Sequence, residues 1–164
     1  MTKLRASAGV PQARGGLLRL VPENTGKKEG VATMFVANGE LLEMQKGLPE
    51  LAKLDVPSKV GYYVAKLVRV LSAEIKDISD AQNKLVTKYG EDLGGGRFSI
   101  TSPINTEGKP GSPNWEVFEK ERQELLEAES DIEFKTVVLP AEIYVPIPLL
   151  MMFDRWLTVE GIEA

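Results

Sequence analysis

Five glutamates, Glu119, Glu121, Glu124, Glu127 and Glu129, crowd into eleven residues. Paired carboxylates can work as acid and base, or hold a hard cation. On a helix, Glu124 and Glu127 flank an exposed face rather than a cleft, and Lys120 and Arg122 partly neutralise the run. A solvated face is therefore the expected role. Asp77, Asp80 and Gln82 do not follow the spacing of a calcium loop. Gly94-Gly95-Gly96-Arg97 lacks the Lys-Ser/Thr ending of a phosphate loop and precedes an extended segment, which makes it a turn. Tyr63 is expected on the apolar face of its helix, with Tyr62 at the edge of that face.

The chemistry that is missing says more. The chain has no histidine and no cysteine. Without histidine there is no Ser-His-Asp triad, no histidine zinc site and no side chain that titrates near neutrality unaided. Without cysteine there are no disulfides, thiolate nucleophiles or iron–sulfur clusters. Only carboxylate, lysine or tyrosine chemistry and oxygen-ligand Mg²⁺ or Ca²⁺ sites are left, and no constellation for them stands out. The sequence thus predicts a non-enzyme that requires no cofactor or metal and acts by binding other macromolecules.

The 164 residues, 43% of them hydrophobic, suffice for one folded body with a real core. No apolar run reaches the roughly 18 residues needed to span a bilayer, so no membrane partner is expected. The basic start Met1-Thr2-Lys3-Leu4-Arg5 is not followed by the apolar stretch of a secretory signal. A cytoplasmic location is the expectation.

Charge is divided unevenly. Residues 1–30 carry six basic and two acidic residues, a net +4, whereas the rest carries fourteen basic and twenty-two acidic, a net −8. An extended basic arm, 1–30, is therefore expected to precede an acidic body, 31–164. The arm is broken by Gly9, Pro11, Gly15 and Gly16. Its one apolar stretch is Leu17-Leu18-Arg19-Leu20-Val21, a short strand or an anchor, followed by a turn at Pro22–Gly26. Nucleic acid is not an expected partner, because the basic residues are sparse and no aromatic side chain interleaves them for base stacking.

The strongest pattern lies at 59–89. Val60, Val64, Leu67, Leu71, Ile75, Ile78, Leu85 and Tyr89 recur every three or four residues, with Gln82 in the one polar slot. This predicts an amphipathic helix about 45 Å long at ~1.5 Å per residue, more deeply buried in its first half and ended by Gly90. Asp55 or Ser58 is the expected N-cap. Residues 31–37 read as a strand closed by a tight Asn38-Gly39 turn, with a short helix from Glu40 that pauses at Gly47 and Pro49. Residues 91–111 read as a hairpin around the three glycines. A second helix should begin at Ser112 or Asn114 and run to about Ser130, with Trp115, Phe118, Arg122, Leu125, Leu126 and Glu129 on one face, antiparallel to the first. Ile132–Leu139 alternates as a strand that pairs with 31–37 or with 142–145. Leu149–Leu157 reads as a closing apolar helix. The fold class is α+β: a long helical hairpin packed on a small β layer. In the closing helix, Met151, Met152, Phe153 and Trp156 form the densest apolar patch, either core or a partner-binding knob, with Met151, Met152 and Trp156 the candidate contacts.

The order of these elements resembles a family of small tailed-bacteriophage proteins. The resemblance is carried by Asn38-Gly39-Glu40-Leu41, Leu54-Asp55-Val56-Pro57, Val64-Ala65-Lys66-Leu67, Lys88-Tyr89-Gly90-Glu91 and Phe118-Glu119-Lys120-Glu121. It covers residues 31–145 and brings no catalytic or binding residues with it. It implies a virion or assembly component, present in the host cytoplasm during assembly and in the virion if structural. Its partners would be other phage structural proteins or further copies of itself. Leu17, Leu18, Leu20 and Val21 would then dock on a neighbouring subunit, while Arg14 and Arg19 meet an acidic surface such as a sister body. The alternative is a small accessory protein whose acidic body imitates nucleic acid and inhibits a host enzyme.

Overall fold

The computed structural model describes residues 31–103 and 110–161. Its spine is the periodic helix, followed here in chain order with its neighbours. Strand β1 (Val31–Ala37) leads straight into helix α1 (Asn38–Met44), and a short helix α2 (Leu48–Ala52) follows. Helix α3 (Ser58–Tyr89) spans 32 residues, about 48 Å at ~1.5 Å per residue. Strands β2 (Glu91–Asp92) and β3 (Phe98–Ser99) form the hairpin, and helix α4 (Trp115–Glu127) returns along α3. Strands β4 (Glu129–Lys135) and β5 (Val137–Leu139), helix α5 (Ile147–Met152) and strand β6 (Leu157–Val159) complete the order.

The expected α+β class holds. The core runs along one side of α3, where Val64, Leu67, Leu71, Ile75 and Ile78 are buried. Beyond Ile78 the stripe is only half-buried, at Gln82, Leu85 and Tyr89. There α3 is joined by α4, whose start lies at the end of α3: Asn114 Nδ2 donates to the Tyr89 carbonyl at 3.4 Å. The helical hairpin is thus antiparallel, as its spacing predicts.

The β layer among the described residues is three two-stranded sheets. In the largest, β1 pairs antiparallel with β4, from Val31 opposite Lys135 to Ala37 opposite Glu129. This is one of the two pairings the alternation allowed. The hairpin β2–β3 turns through Gly94, Gly95 and Gly96, all at positive φ (86°, 67° and 75°), a conformation that costs glycine least.

Several boundaries differ from expectation. Asn38-Gly39 is not a tight turn but the opening of α1. Asn38 is buried because its Nδ2 donates to the Leu125 carbonyl at 2.9 Å and its backbone N–H to the Ala128 carbonyl at 2.8 Å. Neither Asp55 nor Ser58 caps α3; Pro57 holds the cap position and Ser58 is the first helical residue. Helix α4 stops at Glu127 rather than near Ser130, because the alternation of Ser130, Ile132 and Phe134 already belongs to β4. Glu129 is therefore an exposed strand residue, not part of the helix face. The single expected strand 132–139 is broken at Thr136, and β5 pairs not with 142–145 but in parallel with β6. The closing helix ends at Met152, since the chain then turns to feed β6.

Asn38 is the residue most worth removing. Ser130 Oγ lies 2.7 Å from Asn38 Oδ1 and 2.6 Å from Glu74 Oε1, and its single hydroxyl hydrogen donates to one of them at a time. Asn38→Ala should cost about 1–3 kcal/mol, because the half-buried Leu125 carbonyl loses its donor. Urea denaturation of Asn38→Ala, Ser130→Ala and the double variant should return a coupling of about 0.5–3 kcal/mol. Strictly additive losses would dissolve the link.

Candidate interaction surfaces

Of the acidic run, Glu119, Glu121 and Glu127 are engaged on the surface of α4. Glu119 receives two hydrogen bonds from Arg122, Nε at 2.8 Å and Nη2 at 2.6 Å. Glu121 accepts the Tyr89 hydroxyl and Lys88 Nζ, the latter 3.1 Å from both carboxylate oxygens. Gln123 donates to Glu127 at 2.8 Å. These bonds set the titration. The Tyr89 hydroxyl first, then the Lys88 ammonium, holds the Glu121 carboxyl below its ordinary value. Arg122 does the same to Glu119. Bonds to Tyr89 and then Glu121 raise the Lys88 ammonium. The pairs tie α3 to α4 and stiffen α4.

Of the residues singled out in the sequence, Arg14, Leu17, Leu18, Arg19, Leu20 and Val21 lie outside the described residues. Met151 is 72% exposed. Met152 is half-buried, its sulfur against Gly47, and Trp156 is fully buried beside Phe153 in the core. Trp156 therefore offers no knob to a partner. Among the described residues, its indole Nε1 finds no acceptor. The helix ends before Trp156, so the side chain does not continue the outward face of Met151. That face instead includes Ile147, one turn earlier and 71% exposed, with Tyr144 just before the helix at 87%. Tyr63 is exposed rather than on the apolar face.

Sequence reasoning assigned no role to a cleft of about 340 Å³. Lys59, Val60 and Tyr63, on the first turns of α3, face Lys135, Thr136, Val137 and Val138 where β4 passes into β5. Two ammonium groups, a phenol and an apolar floor suit an acidic or amphipathic group. No periodicity joins the two segments, so only the fold brings them together.

The second overlooked feature is the outer edge of β1. The bond from Asn38 N–H to the Ala128 carbonyl continues the β1–β4 register. Hydrogen-bonded pairs alternate in an antiparallel ladder. Hence Val36, Met34 and Ala32 bond toward β4, and the N–H and C=O groups of Phe35, Thr33 and Val31 point away from it. Among the described residues no other strand pairs with β1. Its inner face is also thinly covered. Ala32 is exposed and Met34 half-buried, whereas their partners Phe134 and Ile132 are buried. On the outer face Phe35 is 56% exposed, opposite Asp131.

The lowered carboxyls of Glu119 and Glu121 bind protons less readily in the folded state than in the unfolded one. Their contribution to stability is complete above the ordinary carboxylate range, near ~4.3, and is lost as pH falls through the lowered folded values. The melting temperature of Glu121→Gln should lie below that of the wild type at neutral pH, and the gap should close on acidification. A gap independent of pH would show that the carboxylate charge is not involved.

The chain matches no protein-family model, no curated protein and no solved structure.

Proposed function

We propose that the chain is a bacteriophage structural or assembly protein that acts through protein–protein contacts, with its basic N-terminal arm docking on neighbouring subunits. The phage assignment rests on the resemblance of residues 31–145. The observation that carries the contact role is the outer edge of β1, unpaired among the described residues, with Val31 and Phe35 exposed along it. An unpaired strand edge is a template for another chain, and proteins that keep one bare use it or suffer aggregation. The Tyr144, Ile147 and Met151 surface adds a second apolar contact. Charge supports a sister subunit as the partner, since an arm of +4 precedes a body of −8.

Replacing Leu18 and Leu20 together with Asp should abolish assembly and leave the circular dichroism of the body unchanged. Unaltered assembly would remove the arm from the reading. Peptide mass spectrometry of purified particles should find the chain in fixed proportion to the capsid protein; abundance in infected cells with absence from particles would point to an assembly chaperone or a host-directed factor.

One observation favours the alternative of a nucleic-acid mimic. Glu129, Asp131 and Glu133 stand exposed at alternate positions of β4, about 6.8 Å apart at the strand rise. Such a row would suit the basic groove of a host enzyme. A host-lysate pull-down that recovers phage proteins alone would count against it.

A further inference from the structure

We infer that the outer edge of β1 is the receiving site for the Leu17–Val21 segment of a second copy of this chain, which adds to the β1–β4 ladder as a third strand. The inference rests on the proposed docking role of the arm and names its surface.

Three observations select this occupant. The first is the geometry of the edge. Thr33 and Phe35 direct their backbone N–H and C=O groups away from β4, as the Asn38–Ala128 bond requires. The ladder thus offers a row of donors and acceptors matched to an extended chain and to little else. The second is uneven coverage of the inner face. Beside the buried Ile132 and Phe134, their partners Met34 and Ala32 remain half-buried and exposed. In a five-residue strand Leu18 and Leu20 share one face and Arg19 takes the other. Two leucines laid beside Met34 and Ala32 would extend the apolar layer by one strand. Arg19 would then lie on the outer face, where Asp131 stands opposite Phe35 and Glu133 opposite Thr33.

The third is where the arm joins the body. Residues 1–30 run directly into Val31, the first residue of β1. Between Val21 and Val31 lie nine residues, Pro22–Gly30, with a reach of about 30 Å when extended. That length lets the anchor cross to another body. If each copy both gives its arm and receives one, the exchange is a closed two-fold arrangement that leaves neither edge bare.

The test uses the full-length chain, its Leu18→Asp/Leu20→Asp variant and Thr33→Pro. Proline at 33 removes an N–H that β4 does not use, so the β1–β4 ladder keeps its bonds while the outer edge is blocked. Sedimentation should show the wild type self-associating and both variants weakened about tenfold or more in dissociation constant. Amide exchange at Thr33 and Phe35 should be slower in the assembled wild type than in the arm variant by at least about tenfold. This measurement decides the matter even if Thr33→Pro fails to fold. Loss of assembly in the arm variant, with Thr33 and Phe35 unprotected in the wild type, would overturn the β1 edge and keep the arm. Assembly unaffected by the arm variant would overturn the docking role itself. Protected Thr33 and Phe35 amides in a monomeric wild type would place the chain's own arm on the edge and overturn the second copy.

Discussion

The burial of one apolar stripe governs this fold. Helix α3 presents Val64, Leu67, Leu71, Ile75 and Ile78 along a single side, and a helix so long cannot cover them itself. Each buried side chain of this kind is worth roughly 1.5–3 kcal/mol relative to exposure in water. The two short helices α1 and α2, the strands β4 and β5 and the closing segment around Phe153 and Trp156 all meet along this line. Beyond Ile78 the cover thins, with α4 and the short strand β3 beside the helix. Polar ties take over there: Lys88 and Tyr89 grip Glu121 across the two helices.

A second, smaller constraint sits at the junction of α1, α4 and β4. Asn38 bonds to Leu125 through its side chain and to Ala128 through its backbone, and Ser130 closes the group against Glu74 of α3. The chain thereby leaves α4 and enters β4 at the point where β1 becomes α1. This junction sets the phase of the β1–β4 ladder. The same phase determines which backbone groups of β1 are paired and which are left facing outward. A buried amide at one end of the strand thus controls which backbone groups along it face outward.

The exposed apolar residues divide according to the same logic. Trp156 and Met151 are near in sequence yet have opposite fates. The helix that carries Met151 ends at Met152, and the turn that follows drives Trp156 inward to line the core below β5 and β6. Met151, Ile147 and Tyr144 are left outside. Charge is separated as well, with the outer row Glu129, Asp131 and Glu133 on β4 and the lysines Lys59 and Lys135 around the cleft at its far end.

Local rules were enough for much of this. The repeat of three and four along α3, the β-branched apolar run of β1, the alternation of β4 and the three glycines of the hairpin each act over a few neighbours, so they are legible in the sequence. The absence of histidine and cysteine likewise bounds the chemistry without any structure. Tertiary packing decided the rest. Asn38-Gly39 suits a turn by local preference, yet the carbonyls of Leu125 and Ala128, nearly ninety residues away in the chain, make Asn38 a buried helix start. Glu129 fits a helical face by spacing, but pairing with Ala37 makes it a strand residue. The parallel β5–β6 pair and the Lys59–Lys135 cleft join segments with no shared periodicity, and the outer edge of β1 is unpaired among the described residues. Such features arise from long-range contacts, and the sequence alone determined only the parts from which those contacts are made.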